Sequence, residues 1–186
     1  WSHGDKEIFS RNEAKELFNL ESIGKSSAKF DIDKLNSLNS MYINKIDNKE
    51  LSDYINKLYK KDSINLNDKQ LKLIINGLDG IKARARTIIE LKEMTSFYTA
   101  KTPIPLDKKS QKVLNSENIK LLINYAPFLE KLEEWTKNKI EENIKSYCNS
   151  ININLGKLAQ PLRAATTGKS VSPGLYEVME VLGKEE

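Results

Sequence analysis

Only four of the 30 basic residues in this 186-residue chain are arginines: Arg11, Arg84, Arg86 and Arg163. The distinction is chemical. A guanidinium presents a planar fork of donors that meets phosphates and base edges two bonds at a time and stacks on rings, whereas an ammonium is a compact point charge. Arg163 stands in AQPLRAATTGKSVSPG (159–174), a stretch with prolines at 161 and 173, glycines at 168 and 174, several hydroxyl side chains and no acidic residue. Leu175 follows directly. Such a stretch could place one cation and one apolar residue against a partner, although Leu175 taken alone reads as core. Lys82, Arg84 and Arg86 form a second basic group. On a continuous helix Lys82 and Arg86 share a face while Arg84 points elsewhere, so the three cannot all meet one ligand.

Other chemistry finds little footing. His3 beside Asp5 is the single histidine and Cys148 the single cysteine, which makes no zinc set. Gly168-Lys169-Ser170 resembles the end of a phosphate-binding loop, but the position of that loop's first glycine is Arg163. The carboxylate pairs Glu133-Glu134 and Glu141-Glu142 fall on polar helix faces and read as solvation, not acid–base machinery. Tyr125, Trp135 and Tyr147 sit at helical spacings and read as core, and Cys148 as a small buried side chain.

Charged residues make up 30% of the chain and the hydrophobic set 39%, with a net charge of +4. That balance describes one globular domain or two small subdomains. It permits a nucleic-acid partner without requiring one. No run approaches the roughly 20 apolar residues of a membrane span. The beginning, WSHGDKEIFS, is too polar for a signal peptide and lacks an initiator Met, which suggests a piece of a longer protein. A lone cysteine fits a reducing, cytoplasmic setting.

The elements that must position these residues are helical almost throughout. Ser10 and Glu13 have capping-box spacing ahead of a short helix. Residues 22–30 read as a connector. A stripe of Leu35, Leu38, Met41, Tyr42 and Ile46 predicts a helix from Asp33, and Asp47 opens another carrying Leu51, Ile55 and Tyr59. Asn67 or Asp68 caps a third that Gly77 and Gly80 end. A long helix is expected over 81–99. The prolines of KTPIPLDKKS mark the best internal boundary. Beyond it lie helices at 108–115, from Ser116 with a kink or split at Pro127, and from a Thr136 cap. In the stretch around Arg163, Pro161 suits the first turn of a short helix over Leu162–Ala165 that Gly168 ends. Ser172-Pro173 reads as cap and first residue of the last helix, whose buried stripe includes Leu175, Val178, Met179 and Leu182 and which Gly183 terminates. Two helix N-termini would then meet at one surface, with Arg163 and Leu175 displayed together. The fold class expected is all-α, a two-subdomain helical bundle or cage, divided into 1–30, 31–100 and 101–186.

KLAQPLRAATTGKSVSPGLYEVMEVLGKE (157–185) resembles the C-terminal signature of bacterial glutamyl-tRNA synthetases, class I enzymes that charge tRNA with glutamate. FDIDKLNSLNSMYI, IKARARTIIELKEM, LEEWTKNKIEENI and WSHGDKEIFS are similar to further segments of that family, in its order. The resemblance implies an α-helical cage that grips the anticodon stem and loop. It implies that Arg84, Arg163 and Leu175 lie at the anticodon bases, with Lys82 and Lys169 as weaker contacts to the tRNA backbone. The implied partner is tRNA(Glu). Glutamate, ATP and magnesium would enter only through a catalytic part whose nucleotide-binding motifs are absent here, so this chain would carry no catalytic residue, metal or cofactor. A cytoplasmic monomer without membrane contact is expected. From another class, a helical protein-interaction module with an incidental basic surface would fit the same composition.

Overall fold

Polar caps account for most of the helix starts. The side chains of Asp31, Asp47, Asn67, Thr87, Asp107, Asn115, Thr136 and Asn154 each accept a hydrogen bond from a backbone N–H in the first turn of the helix they precede. Each such cap contributes about 1 kcal/mol. The computed structural model describes residues 3, 4, 6, 8–24 and 29–185. Trp1 and Asp5 lie outside the described residues, as does much of the expected connector. The helices are α1 (Arg11–Leu17), α2 (Ile32–Lys45), α3 (Asn48–Lys61), α4 (Asp68–Gly77), α5 (Ile88–Thr95), α6 (Lys108–Val113), α7 (Ser116–Glu130), α8 (Lys137–Ser150), α9 (Leu155–Thr167) and α10 (Leu175–Leu182). Among the described residues there is no strand, only a bridge between His3 and Lys6, and the all-α expectation holds. The capping box of α1 is complete, with Glu13 accepting from the Ser10 N–H at 2.8 Å.

Two apolar clusters form the interior. One gathers Ile43, Leu51, Ile55, Ile74, Leu78 and Leu91 with their neighbours from α2 to α5. The other gathers Tyr125, Ile140, Ile144, Leu158 and Leu162 from α7 to α9. Tyr125 and Tyr147 are buried in it, and the Trp135 indole donates to the Met179 carbonyl at 2.7 Å, so these aromatics are core as expected. Cys148 is buried too, and burial pushes its thiol pKa up. The segment 99–107 runs between the clusters without helix. Helix α10 belongs to both: Val178 is packed in the first, Leu175 and Met179 in the second. Lys137, at the start of α8, ties to the same helix through its N–H to Glu180 (2.9 Å) and its ammonium to Glu177 (2.5 Å).

Several elements depart from the periodicity. The long helix expected over 81–99 is broken. A 3-10 turn covers Lys82–Arg84, Ala85 is extended (ψ 140°), and α5 begins at Ile88 behind its Thr87 cap. Lys82 and Arg86 therefore do not lie one turn apart on a helix. Pro127 neither splits nor ends α7, which continues three residues past it. Helix α9 starts at Leu155, and Pro161 sits inside it, buried between Leu158 and Leu162. The lost hydrogen bond, an expense of about 3 kcal/mol in an isolated helix, is offset by the packing of those two leucines. Helix α10 starts at Leu175 behind Gly174, not at Pro173. Helix α2 is rotated from its expected stripe. Ile43 is buried while Leu35, Met41 and Tyr42 are about half exposed. On the same helix the Asn39 amide donates to the Arg86 carbonyl.

Candidate nucleic-acid interface

The corner around Arg163 is where the C-terminus of α9 meets the N-terminus of α10, not where two N-termini meet. Gly168 closes α9 in the left-handed region (φ 69°). A Cβ there would stand 2.2 Å from the Pro105 carbonyl oxygen, so both the backbone angle and the close approach of the 105–107 segment require glycine. The Asp107 N–H donates to the Gly168 carbonyl at 2.8 Å.

Loop 168–174 is then pinned at successive residues. The Lys169 ammonium donates to the Glu93 carbonyl at the end of α5. Asp107 caps α6 through Ser110 N (2.6 Å) with one oxygen and accepts from Ser170 N (2.9 Å) and Ser170 Oγ (3.3 Å) with the other. These bonds, those to Ser110 first and those to Ser170 next, hold its pKa down at about 2. Arg163 reaches across from α9, and its Nη1 donates to the Ser172 carbonyl (3.1 Å), the Pro173 carbonyl (2.6 Å) and the Ser172 hydroxyl. The loop is thus held from both halves of the molecule, by α5 on one side and by α6 and α9 on the other.

Burial lowers the Arg163 pKa first, and the positive field of Arg84 lowers it further. Arg84 ends the 3-10 turn and is exposed, and its guanidinium has no hydrogen bond or ion pair among the described residues. Two cations drawn from opposite halves, one half-buried and one free, create a local demand for negative charge. The remaining sequence candidates are placed differently. Leu175 is 4% exposed, which corrects the expectation that it is displayed: it packs in the second cluster as the first residue of α10. Lys82 is engaged with Asn48 (2.9 Å) and Asp79 (3.3 Å). Lys169 is engaged with Glu93. With Lys169 and Ser170 both bound inside the chain, Gly168-Lys169-Ser170 has no free donor set for a nucleotide phosphate.

Three lysines that sequence reasoning did not single out stand beside the loop. Lys108, Lys109 and Lys112 of α6 are exposed and have no ion pair among the described residues, on the helix that Asp107 joins to Ser170. Their signal was present in DKKSQK, a capped basic turn. Val171 was missed for want of any periodicity. It is 79% exposed at the crest of the loop. A cavity of about 950 Å³ opens elsewhere between the halves, lined by Gln70, Tyr98, Pro103, Trp135, Leu162 and Met179, and none of the arginines reaches it. Among the described residues no set of His, Cys, Asp or Glu could hold a metal ion, and no helix is long and apolar enough to cross a membrane.

A model of the anticodon-binding domain family matches residues 34–186. Glutamate–tRNA ligase 2 of Parvibaculum lavamentivorans is 40% identical over 187 residues, which cover all of this chain and 38% of that protein. Glutamate–tRNA ligase 2 of Rhodospirillum rubrum is 36% identical over the whole of this chain and 40% of its own length. This chain thus spans about two-fifths of the curated relatives it matches. Among solved structures, a glutamate tRNA ligase from Elizabethkingia meningosepticum superposes with a TM-score of 0.78 over 97% of this chain and 35% of that one, at 23% identity. The glutamate–tRNA synthetase of Elizabethkingia anophelis gives 0.76 over 100% and 36%, at 24% identity. At these identities the two structures speak for the fold.

Proposed function

Because the chain belongs to the anticodon-binding domain family, we propose that it grips the anticodon arm of tRNA(Glu) for a glutamate–tRNA ligase. The longer enzyme activates glutamate with ATP and magnesium in a part that this chain does not include. Here the work is recognition. The observation that carries the reading is a loop fastened to both halves through Arg163 and Lys169, bonded to a helix that exposes Lys108, Lys109 and Lys112. The remaining donors of Arg163 and those of exposed Arg84 suit the edges and phosphates of splayed loop bases, which is how single-stranded RNA is usually read by sequence. Leu175, the first residue after the loop, is anchored in the second cluster. Lys108, Lys109 and Lys112 are available to the RNA backbone, whereas Lys82 and Lys169 act inside the chain. The protein works in the cytoplasm as a monomer.

The test is a titration of the chain with two anticodon hairpins, one carrying the glutamate anticodon and one with those three bases changed. The first is expected to bind at least about tenfold more tightly, in line with the 1–3 kcal/mol that a good base contact contributes. Its affinity should fall with salt at roughly 0.7 log units per neutralised phosphate. Replacing Lys108, Lys109 and Lys112 by Ala should flatten that slope by about 2. Equal and feeble binding of both hairpins refutes the reading and leaves a helical protein-interaction module.

A further inference from the structure

The apolar contact at this corner cannot come from Leu175, which keeps 4% of its surface. Val171 keeps 79%, more than any other exposed large hydrophobic side chain among the described residues. A single exposed valine is ordinary on a protein surface. What sets this one apart is that its neighbours leave it no way inward. Ser170 before it is held by Asp107, and Ser172 and Pro173 after it by Arg163. Pro173 is itself buried, so the loop is rooted just past the crest. A β-branched side chain on a fixed backbone has little rotamer freedom left to lose when something packs on it.

The surroundings select the partner. Of the carboxylates near the loop, Asp107 already accepts from Ser110 and Ser170 and Glu177 pairs with Lys137, while Glu93 acts on Lys169. The cations without an ion pair outnumber what is left: Arg84, the remaining donors of Arg163, and the α6 lysines. A group that is flat and apolar where it meets Val171, and anionic where it meets the guanidiniums, is a nucleobase with its flanking phosphates. Resting on the function proposed above, we infer that Val171 is the side chain on which an unstacked base of the RNA loop lies. Arg163 acts as a positioning residue that holds the loop at the height this contact needs.

Fluorescence anisotropy with a labelled glutamate-anticodon hairpin tests the inference, using wild type, Val171→Ala and Val171→Thr. The same titrations are run with a hairpin whose three anticodon positions are abasic. Val171→Ala is expected to weaken the intact hairpin about fivefold, as expected from losing partial burial of two methyl groups against a base. Val171→Thr, which keeps the shape and adds a hydroxyl, should fall in between. Neither should change binding of the abasic hairpin, and both should melt within about 2 °C of wild type, since the side chain touches little of the protein. If wild type distinguishes the two anticodons but Val171→Ala binds both intact and abasic hairpins as wild type does, Val171 is not the contact and the proposed function stands. Val171 is equally ruled out if Val171→Ala weakens intact and abasic hairpins to the same extent. If wild type does not distinguish anticodons, the functional reading fails and this inference goes with it.

Discussion

Replacing Arg163 by Met removes the guanidinium but keeps an aliphatic stem of similar reach. The structure says what is lost. Nη1 donates to two carbonyls, of Ser172 and Pro173, and to the Ser172 hydroxyl. Hydrogen bonds from a charged donor contribute roughly 1.5–3 kcal/mol each when isolated. Here they share one nitrogen, and Ser172, unlike the buried Pro173, can regain water, so simple addition overstates the loss. Removing the charge also relieves the repulsion from Arg84 that lowers the Arg163 pKa. A net loss of about 2 kcal/mol is expected. In a protein of this size each kcal/mol moves the melting midpoint by about 2–4 °C, so Arg163→Met should melt about 4–8 °C lower, measured by circular dichroism. A midpoint within about 1 °C of wild type would refute the reasoning: the guanidinium would then not be clamping the loop, and its place in any RNA complex would have to be argued from direct contact alone.

Gly168→Ala should be worse than its position in a loop suggests. The left-handed backbone costs about 1–2 kcal/mol for an L side chain, and the new Cβ meets the Pro105 carbonyl, so about 3 kcal/mol or more is expected in chemical denaturation. A loss of no more than about 2 kcal/mol, the backbone term alone, would sink the crowding argument. The Asp107 carboxylate, held at a pKa of about 2, favours the folded state above the ordinary carboxylate value near 3.9, and that stabilisation is lost as pH falls from there through 2. Carbon chemical shifts of the carboxyl group should titrate near pH 2, and Asp107→Asn should flatten the acid limb of the stability profile. A midpoint near 4 would mean that the bonds to Ser110 and Ser170 do not persist.

Much of this architecture was legible because short-range chemistry decides it. Ser10, Asp47, Asn67 and Thr136 cap helices through contacts within three residues, and such contacts are written in the local sequence. The tyrosines of the second core were equally plain from spacing. The failures share a cause at longer range. Pro161 looked like a first-turn residue because its penalty inside a helix is large, yet Leu158 and Leu162 bury well enough on either side to carry it. Within the 81–99 window Thr87 and Glu90 have cap spacing and mark the restart of helix after Ala85; Asn39, 47 residues earlier, binds the carbonyl of Arg86 there. In α2 the apolar residues are there, but it is Ile43 that packs into the first cluster, a choice made by partners distant in sequence. At the site, residue identity was readable and display was not. Arg163 and Leu175 both belong to the corner, but Arg163 is half-buried by its clamp on the loop and Leu175 is buried in the second cluster, which the local sequence did not reveal.

Val178 completes a cluster whose other members begin at Ile43, well over a hundred positions earlier. During synthesis, the first half must leave the ribosome with a seam of aliphatic side chains open to water and stay that way until α10 has been translated and can swing back. A nascent polypeptide halted before Leu175 would lack the closing piece for both interiors at once, which makes stalled or prematurely stopped products natural clients for chaperones and proteases.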